Sequence, residues 1–493
     1  MKKIYKHKTL LIISIGLLFI FCDRSPFHPE KSSQKLANNP PETHLFLFVS
    51  PDTTGQDTTF TGIDTTTSKQ VLHWWGEDSD GQVVGYYIQW DYDAEPSYTT
   101  SEYDTFFVPI RSKYDEFTFR VWAVDDDGIQ DPTPAIQTFP VTNSNPEIEF
   151  KNRSNPPAPS SDPDVTAYTF PTRTFIWDVY DPDGIETVKN IYYALDDTTS
   201  WIELPGNEKS VTLTGLEPGE HRFFVKAVDI AGAESQTISF PDPDDVDFPN
   251  TWVVKEPVGD ILLVNDFAQD QTAYEVQNFY VDILNNIFGE NGYSIWEIGT
   301  SRIPVINPEN SLPYATADIK AYLNYFEKVI WFSHLGRPNI SEAGLSLTQY
   351  MADGGKVFIT NANEEVPDTS WTFTDIDSVY RLNPGGRLLP GVNIISSLTN
   401  SERDSSLNMN IEKLVGNRVS ALVPGKDAEV IYRMEPDSTS NVRVPYTGSP
   451  PVAVRYRIGA GESIYFSLPL HFCNGNDNIE DILKYILLEE FEQ

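Results

Sequence analysis

The chain has 493 residues, 40% of them hydrophobic and 13% aromatic, too many for a single core and enough for about three domains. Its 72 acidic against 35 basic side chains give a net charge of −37, spread along the whole length, and a field of that sign excludes nucleic acid as a partner. Only two cysteines are present, Cys22 and Cys473, so packing rather than disulfides must hold the fold together.

At the N-terminus Lys2, Lys3, Lys6 and Lys8 precede an apolar run from Leu10 to Phe21. A helix of that length is too short for roughly 30 Å of hydrocarbon, so the segment reads as an export signal. Cys22 follows directly and resembles the lipobox cysteine of bacterial lipoproteins, although Phe21 stands where that family prefers a small residue. The resemblance implies a signal peptide over 1–22, acylation of Cys22, and membrane attachment through this lipid anchor. It further implies a place in the bacterial cell envelope, at the outer membrane or cell surface. Residues 23–41 are polar, rich in proline and without periodicity, a flexible tether reaching roughly 25 Å.

Next comes an internal repeat. Trp74-Trp-Gly-Glu-Asp-Ser-Asp-Gly81 returns as Trp177-Asp-Val-Tyr-Asp-Pro-Asp-Gly184, and Phe119 to Gly128 returns as Phe223 to Gly232 with Asp125 aligned on Asp229. Within each cassette, runs such as Tyr86 to Trp90 and Val211 to Thr214 alternate apolar and polar residues between Gly, Pro and Asp. That is the pattern of half-buried antiparallel strands, and it predicts two all-β sandwiches, over 42–143 and 144–243. The early tryptophan, Leu213-Thr-Gly-Leu-Glu-Pro-Gly219 and Ala227-Val-Asp229 resemble fibronectin type III and immunoglobulin-like domains.

After the acidic linker Asp242-Pro-Asp-Asp-Val-Asp247 the texture changes. Apolar strands are expected at 260–265, 293–298, 328–333, 356–360 and 463–468, alternating with helices at 272–289, 317–326, 341–352 and 479–488. Strands apolar throughout, separated by amphipathic helices, predict a parallel sheet covered on both faces, a doubly wound α/β domain over 250–493 able to fold alone. A mixed segment near 364–455 is expected to interrupt it. The opening strand Ile261 to Asp266, the phrase Asp353 to Thr360 and the closing Gly461 to His471 resemble the class I glutamine amidotransferase-like group, implying a flavodoxin-like fold.

Active members of that group place a cysteine on a tight strand-to-helix elbow and a histidine after the last strand, so that the imidazole holds the thiol as thiolate. Here the elbow reads Asn361-Ala-Asn363. His471 stands where the histidine would, and Cys473 two residues on cannot replace an elbow nucleophile. The implied head is non-catalytic, with no cofactor: no GxGxxG follows the first strand and no P-loop occurs. Asp266, His334, Asn361 and His471 each fall at the carboxyl end of a strand, where open α/β sheets bind ligands, and form the candidate cleft. The acidic turns Asp78 to Gly81, Asp125 to Gly128 and Asp181 to Gly184 offer oxygen ligands for Ca²⁺ but lack a glutamate in EF-hand spacing; Asp and Gly also serve tight turns for backbone reasons alone, so no metal site is assigned. Trp74 and Trp177 recur at one position and are expected in the core, whereas Trp75, replaced by Asp178 in the repeat, is the better candidate for an exposed contact. The expected function is a lipid-anchored binding or scaffolding protein with a protein or glycan ligand. An envelope hydrolase acting on amide or glycan substrates is the alternative.

Overall fold

The computed structural model describes residues 38–47, 66–151, 166–242, 251–266, 271–298, 312–313, 315–333, 340–361, 371–382, 388–398, 407–416, 419–436 and 446–492. Cys22, with the whole signal segment, lies outside them. They form two compact units, one of residues up to 47, 72–104 and 118–138, the other of the remainder.

The first sandwich, which supplies the first unit and counts parts of β2, β5, β6 and β7 in the second, is built on β1 (Glu42–Leu47), β2 (Lys69–Glu77), β3 (Val83–Trp90), β4 (Ser97–Thr99), β5 (Tyr103–Phe107), β6 (Tyr114–Asp125) and β7 (Ala135–Thr142). They make two sheets, in the orders β1-β2-β5 and β4-β3-β6-β7. Alternation along β2 turns Leu72 and Trp74 inward and Trp75 outward. Trp74 and Phe119 are fully buried, with rings 5.7 Å apart, and Trp90 stands 5.0 Å from Phe119.

The second unit starts with a sandwich of the same design. Its strands are β8 (Glu147–Phe150), β9 (Thr166–Thr169), β10 (Thr172–Tyr180), β11 (Val188–Leu195), β12 (Ile202–Pro205), β13 (Ser210–Thr214), β14 (Gly219–Glu220), β15 (Phe223–Asp229), β16 (Ile238–Phe240) and β17 (Thr251–Val254). The orders β8-β10-β13 and β12-β11-β15-β16 repeat the three-on-four arrangement, so the cassettes are fibronectin III-like sandwiches. Trp177 fills the position of Trp74 and is fully buried, as expected of a repeated core residue. The repeat extends to the backbone: Gly128 and Gly232 hold φ of 82° and 87° at the same point of the loop, a conformation glycine adopts without steric cost. A third small sheet, β14-β17-β9, has β17 parallel to β9. Through it Trp252, fully buried, packs 5.4 Å from Phe175.

The rest of the second unit contains β18 (Ile261–Asn265), α1 (Gln271–Phe288), β19 (Tyr293–Glu297), α2 (Thr316–Leu323), β20 (Lys328–Phe332), α3 (Ile340–Ala352) and β21 (Lys356–Thr360). It continues with β22 (Ile376–Arg381), β23 (Asn393–Ser396), β24 (Met409–Asn410), β25 (Ser420–Pro424), β26 (Glu429–Met434), β27 (Pro451–Ile458), β28 (Gly461–Phe466) and α4 (Ile479–Tyr485). Nine strands form one sheet, β19-β18-β20-β21-β28-β27-β26-β23-β24. The first five are parallel neighbours and the last four are joined antiparallel. Every residue of β18 is buried, because both faces are covered. Leu263, Ile330 and Phe358 pack with residues of α1 and α4, while Leu262, Val264, Trp331 and Ile359 pack with α2 and α3.

Within the 364–455 segment β23, β24 and β26, with β27 at its end, extend the sheet of the domain, and β22 pairs with β25 as a ribbon. Just past residue 250, β17 pairs with β14 and β9 of the sandwich, and the sandwich packs on the head. Phe170 joins the head's core edge-on to Tyr322 at 5.3 Å and Phe326 at 5.4 Å, and Thr172 shares a 2.8 Å hydrogen bond with Tyr325. Asp318, 1% exposed in the first turn of α2, accepts from the Thr174 N–H at 2.8 Å and its hydroxyl at 2.5 Å.

Candidate functional site

The carboxyl ends of the parallel strands carry buried polar residues where the apolar interior of the sheet stops. Asp266, wholly buried after β18, donates its N–H to the Phe332 carbonyl, and its carboxylate accepts from Trp331 Nε1 at 2.9 Å. After β20, Ser333 donates its hydroxyl to Asn361 Oδ1 at 2.8 Å. Asn361, 1% exposed at the end of β21, donates its N–H to the Phe466 carbonyl, and its Nδ2 has no hydrogen-bond partner. Asn265 donates to Gln277 Oε1 at 2.7 Å, and Gln277 Nε2 donates to Glu297 Oε1 at 3.0 Å, tying α1 across the first two strands.

His471 goes elsewhere. It is 5% exposed in the short turn Leu470–Phe472 and meets Phe279 and Tyr280 of α1 edge-on, each 6.3 Å away. Asp266 is fastened to Trp331 in the core beneath α2 and α3. Tyr280, the ring against His471, stacks on Phe332 in the core beneath α1 and α4. Asp266 and His471 serve opposite faces of the sheet, Asp266 is joined to the end of β20 through Phe332 and Trp331, and Asn361 is joined to the same strand end through Ser333. His334 lies outside the described residues. Cys473 is fully buried and donates weakly to the Pro469 carbonyl at 3.6 Å. Burial pushes its thiol, like the Tyr280 hydroxyl, well above the ordinary range.

Sequence reasoning missed Ser333, Trp331 and Gln277. The available signal was position alone, since Ser333 ends its strand as Asn361 ends the next.

The acidic turns act as latches on backbone. In the first sandwich Asp125 accepts from Asn38 Nδ2 at 2.6 Å and from the Ile129 N–H, while Asp80 accepts from the Asn39 N–H. In the second, Asp229 accepts from Asn143 Nδ2 and the Ala233 N–H, while Asp183 accepts from the N–H groups of Ser144 and Ser68 at 2.6 and 2.8 Å. Among the described residues no group of three or more His, Cys, Asp or Glu is placed to hold a metal ion. Trp75 is 39% exposed, as its missing counterpart suggests.

No family model matches the chain, and no curated protein does. Solved structures do. Fibronectin(III)-like modules of Clostridium thermocellum CbhA match at 17% identity and a TM-score of 0.18, covering 39% of this chain and 88% of theirs. A ThuA-like protein from Bacteroides uniformis matches at 13% identity and a TM-score of 0.29, covering 47% of this chain and 91% of its own. A two-domain fibronectin type III segment from chicken tenascin matches at 16% identity and a TM-score of 0.20, covering 36% and 93%. None of these likenesses bears on ligand or activity.

Proposed function

We propose that this chain is a lipid-anchored bacterial envelope protein with a binding or scaffolding role, its sandwiches acting as spacers for a flavodoxin-like head related to class I glutamine amidotransferases without the nucleophile. The observation that carries the reading is Asn361. An amide stands at the strand end where an elbow nucleophile belongs, 1% exposed and accepting from Ser333, and an amide forms no acyl intermediate. The parallel order second, first, third, fourth, fifth, with helices on both faces, supports the flavodoxin-like assignment. The buried thiol of Cys473 supports it too, because a thiol pushed up by burial supplies no thiolate near neutral pH. The anchor rests on the sequence around Cys22. No helix among the described residues is long and apolar enough to cross a membrane.

Two measurements test the reading. The purified chain should release no ammonia from glutamine and form no adduct with an electrophilic glutamine analogue; a stoichiometric adduct on Cys473, abolished by His471→Ala, would promote the hydrolase. Cys22→Ala should move the protein from the membrane fraction to the soluble one. A signal-cleaved Cys22→Ala protein still extracted only by detergent would remove the anchor.

A further inference from the structure

We propose that the outward face of the β1-β2-β5 sheet is a binding platform for a neutral polysaccharide. Five rings share this face: His44 and Phe46 on β1, His73 and Trp75 on β2, and Tyr103 on β5. Strand pairing sets His44 opposite Trp75 and Phe46 opposite His73. The rings of His44 and Trp75 stack at 5.0 Å and 27°, and those of His73 and Tyr103 at 5.6 Å and 24°. Phe46, Trp75 and Tyr103 are 48%, 39% and 62% exposed.

The second sandwich supplies an internal control. There Asp178 occupies the position of Trp75 and pairs with Glu149 as Trp75 pairs with His44. Lys151 follows at the position of Phe46 and forms an ion pair with Asp178. The same scaffold thus folds with charged side chains on this face, so neither strand pairing nor the core requires the rings. Exposed aromatic side chains grouped on one face, beyond what folding needs, mark a binding surface.

The chemistry of the row selects the ligand. Within each stacked pair one face is covered by the neighbouring ring, and the outer surfaces of Phe46, Trp75 and Tyr103, still exposed, fit the C–H faces of consecutive pyranose units. At one end of the same strand pair Glu42 stands opposite Glu77, both exposed. Their carboxylates accept from hydroxyls and, with the net charge of −37, repel polyanions. The carboxylates cap the row rather than surround a ring, which suits an uncharged chain of repeated units better than a point cation. The platform is separate from the strand ends of the head, so its failure would leave the reading of the head untouched.

The test is migration of the full chain in native gels cast with hydroxyethylcellulose, xyloglucan, glucomannan or starch, with sedimentation on chitin and with polylysine as a cationic comparison. At least one neutral polysaccharide should retard or sediment the protein. Trp75→Ala and Tyr103→Ala should each weaken that binding about tenfold with the unfolding midpoint unchanged, and Tyr380→Ala, at an exposed ring of the head, should leave it intact. No interaction with any of the polysaccharides, binding by both ring variants equal to that of the unaltered chain, or an interaction confined to polylysine would each overturn the proposal.

Discussion

Asp318→Ala is expected to destabilise the second sandwich and the head together. The carboxylate is 1% exposed and accepts two hydrogen bonds from Thr174. The Thr174 hydroxyl keeps Thr212 as a partner at 2.9 Å, but the backbone N–H does not. Stranding that buried donor costs about 1–3 kcal/mol, and losing a charged acceptor for the hydroxyl adds about 1 kcal/mol. Asp318 also stands in the first turn of α2, where a negative charge is worth about 0.3–1 kcal/mol against the helix dipole. The expected loss is therefore about 3–4 kcal/mol. Asp318→Asn keeps an oxygen for the N–H, so it should lose about half as much. Urea unfolding of the full chain, followed by far-UV circular dichroism and tryptophan fluorescence, measures both. The second sandwich holds Trp177, Trp201 and Trp252 and the head holds Trp296, Trp331 and Trp371, so replacing one set of three at a time by phenylalanine helps to separate their signals. Both signals should shift to lower urea together. A loss below about 1 kcal/mol for the alanine variant, or a head transition that stays in place while the sandwich moves, would refute the coupling through α2.

Three further outcomes follow from local chemistry. Burial is the main cause holding the Asp181 carboxyl above its usual value; a carboxyl raised in the fold favours folding below its unfolded value and loses that contribution as pH rises through the folded one. Asp181→Asn should therefore raise the urea midpoint at pH 7, the gain closing as pH falls toward about 4, and no gain at pH 7 would contradict this. Gly461→Ala would bring a Cβ within 1.9 Å of the Met351 carbonyl oxygen, so a loss of about 2–3 kcal/mol is expected from the backbone shift it forces, and an unchanged midpoint would show that the strand gives way freely. Chelation by EDTA should leave the unfolding midpoint unchanged while Asp183→Ala lowers stability by about 1–3 kcal/mol, the buried Ser68 N–H being stranded and the part-buried Ser144 N–H losing its partner; a calcium-dependent rise in the midpoint would show that the turns hold metal after all.

What could be read in the sequence was what local periodicity decides. β18, β20 and β21 are buried on both faces and announce themselves as unbroken apolar runs; α1 and α3 carry a 3.6-residue stripe. The sandwich repeat was legible because Trp74 and Trp177, and Asp125 and Asp229, sit at fixed offsets from turn residues. The strands β23 and β24 were not, since four and two residues carry no period and find their place only against the edge that β27 and β26 create. β17 was missed because Thr251-Trp-Val-Val254 lies beyond the acidic linker, inside the span expected for the head, and only the parallel register with β9 assigns it to the sandwich. At the candidate cleft, the strand ends of Asp266 and Asn361 were legible. Which face His471 would take was not, because the turn Leu470–Phe472 resets the alternation once the strand has ended.

The two aspartate latches have an implication for how such a chain is assembled. Each sandwich carries, within its own sequence, both carboxylates that grip the segment leading into it: Asp80 and Asp125 hold Asn39 and Asn38, Asp183 and Asp229 hold Ser144 and Asn143. The incoming segment needs to offer only an asparagine amide and the next backbone N–H. A module built this way carries the fastening of its incoming segment in its own sequence, so the fastening travels with any copy of that stretch, and in the second sandwich Asp183 also reaches back to the Ser68 N–H.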